Sequence, residues 1–122
     1  MRIALDAMGG DHGPGPNVAG AVKALSAAPD LTVVLVGDKA QLDPLLASAP
    51  ADRLEVFHCA EAVGMKEKPA EALRKKRDSS IVRGWELLAT KRVDGFVSAG
   101  NTGAVVASGL FSKRFLKGVR RP

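Results

Sequence analysis

The 122-residue chain has no tyrosine, one tryptophan, four phenylalanines and one cysteine. With aromatics at 4% and none alternating with the basic runs, it lacks the stacking platforms that grip single-stranded nucleic acid, so no nucleic-acid partner is expected. A lone cysteine, Cys59, cannot close an intrachain disulfide, which points to a reducing, cytoplasmic compartment. Nothing in the sequence marks Cys59 as an activated nucleophile, and it reads as a small filler near a strand end. No apolar run approaches the ~20 residues needed to cross a bilayer. The opening Met1-Arg2-Ile3-Ala4-Leu5-Asp6 puts an acid where a signal peptide needs apolar residues, and no secretion signal is read there. Neither G-x-G-x-x-G nor G-x-x-x-x-G-K-[ST] occurs, which weighs against dinucleotide and P-loop enzymes. No spacing calls for a metal or a Ser-His-Asp triad.

Hydrophobic residues make up 46% of the chain, enough for the modest core of one domain spanning residues 1–122. The net charge of +5 is unevenly spread. Residues 66–77 hold six basic side chains against Glu67 and Glu71, and residues 113–121 hold five against none, so the rest of the chain is net negative. Such clustering favours anionic partners.

Short apolar runs alternate with helical patterns. Strands are expected over Arg2–Leu5, Leu31–Val36, Leu54–His58 and Val93–Ser98. The first is followed by the glycine-rich loop Asp6–Asn17. A helix follows, carrying Val18, Ala21, Val22, Leu25 and Ala28 on one face and ending at Pro29-Asp30. Asp38 with Gln41 reads as a capping box, and Pro44 is expected to make the second helix irregular. Residues 59–69 read as a loop and 70–76 as a short helix; Asp78-Ser79-Ser80 then caps a helix with Ile81, Trp85 and Leu88 as its core stripe. The implied fold is a three-layer α/β domain with a mostly parallel sheet. Right-handed crossovers put the strand-to-helix loops at one sheet edge, where open α/β sheets bind ligands, so the loops at 6–17 and 98–103 are expected to converge.

The stretch Val97-Ser98-Ala99-Gly100-Asn101-Thr102-Gly103-Ala104 is a strand-to-helix turn of small residues. Gly100 and Gly103 allow close backbone approach, and Thr102 or Asn101 can cap the helix. Val105, Val106 and Leu110 fall at helical spacing beyond it. The first amides of such a helix lack internal partners and lie at the positive end of its dipole, which suits an anion. An ordinary tight turn would read the same way.

Several motifs, in order, resemble one family. Met1–Asp11 with its Asp6-Ala7-Met8-Gly9-Gly10-Asp11, then Val36-Gly37-Asp38, Arg74-Lys75-Lys76-Arg77-Asp78-Ser79-Ser80 and Ser98-Ala99-Gly100-Asn101-Thr102-Gly103-Ala104 resemble the bacterial phosphate acyltransferases (PlsX) of phospholipid synthesis. Members are longer, so the chain looks like their N-terminal portion. The resemblance implies transfer of a fatty acyl group from acyl carrier protein to inorganic phosphate and a fold similar to isocitrate and isopropylmalate dehydrogenases. It also implies a homodimer and loose association with the inner face of the membrane.

That reaction needs no cofactor: phosphate is already an anionic nucleophile, and a thiolate is a fair leaving group. It needs a place to hold phosphate and donors for the oxyanion. The residues carried over as candidates are Gly9, Gly10, Asp11, Lys75, Lys76, Asp78, Ser79, Ser80, Ser98, Gly100, Asn101, Thr102 and Gly103 for substrate, with Asn101 and His12 as catalytic candidates. His12 would supply a proton to the departing thiolate. Asp6 and Asp11 would fix loop amides. Lys75, Lys76, Lys113 and Arg114 would dock an acidic carrier protein. Two alternatives stand beside this reading. One is a non-catalytic phosphate- or carrier-protein-binding fragment. The other is a nucleotide-binding oxidoreductase, with Asp38 at the end of the second strand mimicking a ribose ligand.

Overall fold

A computed structural model of the protein describes residues 1–47, 49 and 52–112. The basic segment 113–121, with Lys113 and Arg114, lies outside the described residues. Four strands, β1 (Arg2–Asp6), β2 (Thr32–Gly37), β3 (Leu54–His58) and β4 (Gly95–Val97), form one sheet in the order β3-β2-β1-β4, every pair parallel. The helices are α1 (Pro14–Ala27), α2 (Lys39–Leu46), α3 (Pro69–Lys75), α4 (Ser80–Ala89) and α5 (Thr102–Phe111). No helix among the described residues is long and apolar enough to cross a membrane.

The central strand shows why the sheet is covered on both faces. All of β2 beyond Thr32 is buried. Val33 and Leu35 join Val18, Ala21 and Leu25 of α1 and Leu42 of α2 in one core, while Val34 and Val36 turn the other way toward Leu87 of α4. Period-2 alternation thus feeds two hydrophobic layers from one strand. A third cluster (Leu73, Ile81 and Ala104) joins α3, α4 and α5 away from the sheet.

Local chemistry sets the helix ends. α1 begins on Pro14, whose missing N–H costs nothing at a first turn, and stops where Ala28 turns extended ahead of Pro29. Its last carbonyls are held by Arg53, whose guanidinium donates to Leu25, Ala28 and Leu31 oxygens at 2.8–3.1 Å. α2 is capped by Asp38, which accepts from the Ala40 amide; Gln41 returns to the Asp38 carboxylate rather than to its backbone.

The structure corrects two expectations, on α2 and α4. α2 runs unbroken through Pro44, ending two residues later. In α4 the buried positions are Ser80, Ile81, Gly84 and Leu87, while Trp85 and Leu88 pack against the core only partly buried; Trp85 donates its indole N–H to the Val105 oxygen of α5 and meets Phe96 edge-on. In α5 the buried face is Ala104, Ser108 and Gly109, whereas Leu110 is 52% exposed. Apolar spacing marked the right helix but not the covered side.

Gly84 lies against the Phe96 ring, leaving no room for a β-carbon. Gly84→Ala is expected to destabilise the chain by about 1–3 kcal/mol, read by denaturant unfolding. Cys59 is buried and its thiol is pushed up to about 12, first by desolvation and then by the Asp78 and Asp6 carboxylates. At pH 8 its alkylation in the native chain should be about 10³-fold slower than in denaturant, as followed by mass spectrometry.

Candidate functional site at the β1–β4 switch point

The strand order reverses direction between β1 and β4, because the chain steps from β1 outward to β2 and β3 and then returns to the far side of β1. In open parallel sheets the crevice beyond such a point collects ligands. The loops that follow β1 and β4 both open there, and they touch.

Asp6, at the end of β1, is 1% exposed and ties them together. Its Oδ2 accepts from the Ser98 hydroxyl at 2.7 Å, and its Oδ1 accepts from the Met8 amide at 3.1 Å. Ser98 Oγ in turn accepts from the Gly100 amide at 3.0 Å. A β-carbon at Gly9 would sit 2.7 Å from the Gly100 nitrogen and 2.8 Å from Asp6 Oδ2, so the two loops can meet only over a glycine. The expected role of Asp6, fixing loop amides, matches this geometry. Asn17, which the sequence reading passed over, clamps the same loop by donating to the Ala7 and Gly9 oxygens at 2.9 and 2.8 Å. Gly13 closes the loop at φ 71°, ψ −157°, a conformation open to glycine alone.

Asn101 caps α5: its Oδ1 accepts from the Ala104 amide at 3.1 Å. Its Nδ2 donates to the Gly64 and Glu67 oxygens at 3.1 and 2.9 Å. The carboxamide is therefore fully engaged, and it straps the 64–67 loop against the start of α5. Between the capping choices left open by the sequence, Asn101 rather than Thr102 takes the role. Gly103 packs on Pro69 at the start of α3. Thr102 and Gly103 are exposed, and their amides make no hydrogen bond to the described residues.

The other candidates separate. Gly10, Asp11 and His12 lie on the β1 loop, Asp11 and His12 exposed. Ser79 and Ser80 are buried at the start of α4; Ser79 Oγ accepts from the Val82 amide, and the Ser80 amide donates to the Glu61 oxygen. Lys75 pairs with Glu71, and Lys76 donates to Glu67 and to the Ala62 oxygen. Both cations thus have an acidic partner within the chain. Asp78 is occupied too: its Oδ2 accepts from the Ala60 amide and its Oδ1 from Arg83, each at 2.8 Å. Two basic residues that the sequence reading did not single out are better placed. Lys66 and Lys68 are exposed on the loop that Asn101 holds, and neither has an acidic partner among the described residues. Their signal was present only as members of the 66–77 basic run.

The geometry also bears on the dinucleotide alternative. A pyrophosphate would need the first amides of α1, but Pro14 and Pro16 remove two of them. Asp38 is committed to capping α2.

A family model described as a fatty acid synthesis protein matches residues 1–122. The chain is 49% identical over 123 residues to a protein named phosphate acyltransferase from Myxococcus xanthus (strain DK1622), covering all of this chain and 35% of that protein. It is 43% identical over 122 residues to a protein of the same name from Bacillus subtilis (strain 168), covering 100% of this chain and 36% of the relative. A Shewanella amazonensis (strain ATCC BAA-1098 / SB2B) protein of that name is 46% identical over 125 residues, with 100% and 36% coverage. The chain thus spans about a third of the length of the curated relatives it matches.

The Ala60 amide, then the Arg83 guanidinium, hold the Asp78 carboxyl below its usual range. A carboxyl whose folded pKa is depressed adds stability above its unfolded pKa of about 4, and that stability is lost as pH falls below it. Asp78→Asn should therefore lower the melting temperature at pH 7 and flatten its decline between pH 4 and pH 2, as read by circular dichroism.

Proposed function

The chain belongs to the fatty acid synthesis protein family, and on that footing we propose that it forms the phosphate-binding N-terminal part of a phosphate acyltransferase. The observation that carries the reading is the start of α5. There the Thr102 and Gly103 amides stand open at the sheet's switch point, beside the loop bearing Lys66 and Lys68. Inorganic phosphate would accept from these amides at the positive end of the helix dipole. A phosphate oxygen would attack the carbonyl carbon of an acyl thioester on acyl carrier protein. The C–S bond would break, giving acyl phosphate and a thiolate, which takes up a proton. Asn101 acts here as a positioning residue, through the 64–67 loop. Gly9, Gly10, Gly100 and Ser98 set the approach of the two loops. His12, exposed on the β1 loop, remains the candidate proton donor.

The fuller reading extends to what the family resemblance implies. Residues 1–122 would form the N-terminal portion of a dehydrogenase-like three-layer domain, working as a homodimer in the cytoplasm and meeting the inner membrane face peripherally. A second reading keeps phosphate binding without turnover, because the longer relatives' remaining length would supply the rest of the cleft.

Thiol release from an acyl carrier protein thioester, with and without phosphate, tests the proposal. Phosphate-dependent release supports the acyltransferase, and phosphate binding without release supports the binding fragment. Release independent of phosphate, or no phosphate binding at all, overturns both. Proline is tolerated at a first helical position and deletes one donor there. Thr102→Pro should therefore leave the fold intact while weakening phosphate binding about tenfold by equilibrium dialysis, as expected for one lost charge-assisted hydrogen bond.

A further inference from the structure

One surface outside the switch-point crevice combines charge and apolar area. A cleft of about 560 Å³ lies between α3, α4 and α5, with Leu73, Val82, Ser108 and Phe111 among its lining residues and Arg74 and Arg77 at its rim. Phe111 is 73% exposed, and neighbouring Leu110 is 52% exposed. Among the described residues no carboxylate lines the cleft. The nearby acids are used elsewhere: Glu67 by Lys76, Glu71 by Lys75, Asp78 by Arg83. Arg74 and Arg77 have no acidic partner among the described residues, and the remaining positions of the chain contain no Asp or Glu to provide one. Five more basic residues follow Phe111 and Ser112 directly in sequence.

We infer that this cleft docks the acyl donor itself, through an acidic helix of the carrier protein whose apolar side covers Leu73, Val82 and Phe111 while its carboxylates meet Arg74 and Arg77. The inference rests on the acyl-transfer reading. Unpaired guanidiniums around an apolar floor fit a protein with carboxylates spaced along an apolar face, since arginine offers bidentate contacts to carboxylate. Free phosphate would leave the apolar floor uncovered. Position also favours the donor: α5 carries the open amides at one end and Phe111 at the other, about 14 Å apart along the helix. A donor seated on the cleft would direct its thioester along α5 toward the phosphate. The docking cations are then Arg74 and Arg77, not the internally paired Lys75 and Lys76.

Binding of holo acyl carrier protein to the 122-residue chain, measured by fluorescence anisotropy in low salt, tests this. Arg74→Glu with Arg77→Glu should weaken binding at least tenfold, and Phe111→Ser several-fold with little change in salt dependence. Lys23→Glu with Lys91→Glu, an equal charge change elsewhere, should alter it less than twofold. Thermal melts confirm that each variant is folded. Equal weakening by both charge reversals would overturn the inference. So would the absence of wild-type binding, or capture of anionic phospholipid vesicles by this patch in place of carrier protein. Phosphate affinity in the same preparations separates the two claims. If it survives while docking fails, only the docking surface is lost; if wild-type phosphate binding is itself absent, the acyl-transfer reading falls.

Discussion

The buried carboxyl of Asp6 is the point on which the candidate site depends. It sits at the end of β1, beneath two loops separated by about ninety residues of sequence, and binds a group from each: the Met8 amide and the Ser98 hydroxyl. A buried polar group without partners would be costly. Here the same bonds that satisfy the carboxyl hold the β1 loop against the β4 turn. The contact is so close that Gly9 has no space for a side chain, and Ser98 passes the constraint on to the Gly100 amide. The start of α5 is thereby fixed relative to the sheet before any ligand arrives, which is the preorganisation an anion site requires.

The helix starts around this edge are not equivalent. α1 begins with prolines that remove donors. The first amides of α2 are taken by His58 Nδ1 and Asp38 Oδ1. At α4 the Ser80 and Val82 amides go to the Glu61 oxygen and Ser79 Oγ within buried surroundings. α5 differs because its cap satisfies the third amide and leaves the first two exposed. The charge around it follows the same logic. Within the 66–77 run Lys75 and Lys76 are paired internally, and the cations left without an acidic partner among the described residues, Lys66 and Lys68 on one side and Arg74 and Arg77 on the other, divide between the α5 start and the α3–α5 cleft.

Much of this architecture could be read from the chain alone, because it rests on local signals. β3 falls on Leu54–His58 as expected, and β1, β2 and α1 agree with their expected spans to within a few residues. The convergence of the two glycine-containing loops followed from the handedness of parallel crossovers. What escaped was set by tertiary pairing. Spacing cannot tell that Lys76 would find Glu67, that Asn101 would spend its amide on the 64–67 loop, or that Asn17 and Arg53 would tie down backbone oxygens. Apolar spacing marked α5 as a helix without saying which face it buries. The small residues Ala104, Ser108 and Gly109 turn inward, and Leu110 stays exposed.

The most direct test is an amide chemical-shift titration of the isotopically labelled chain with inorganic phosphate, using chloride at equal ionic strength as the reference. Saturable shifts confined to Thr102, Gly103 and the 64–68 loop are the predicted result. Shifts no larger than those with chloride, or shifts centred on another helix start, would contradict the account that phosphate binds where α5 opens onto the switch point.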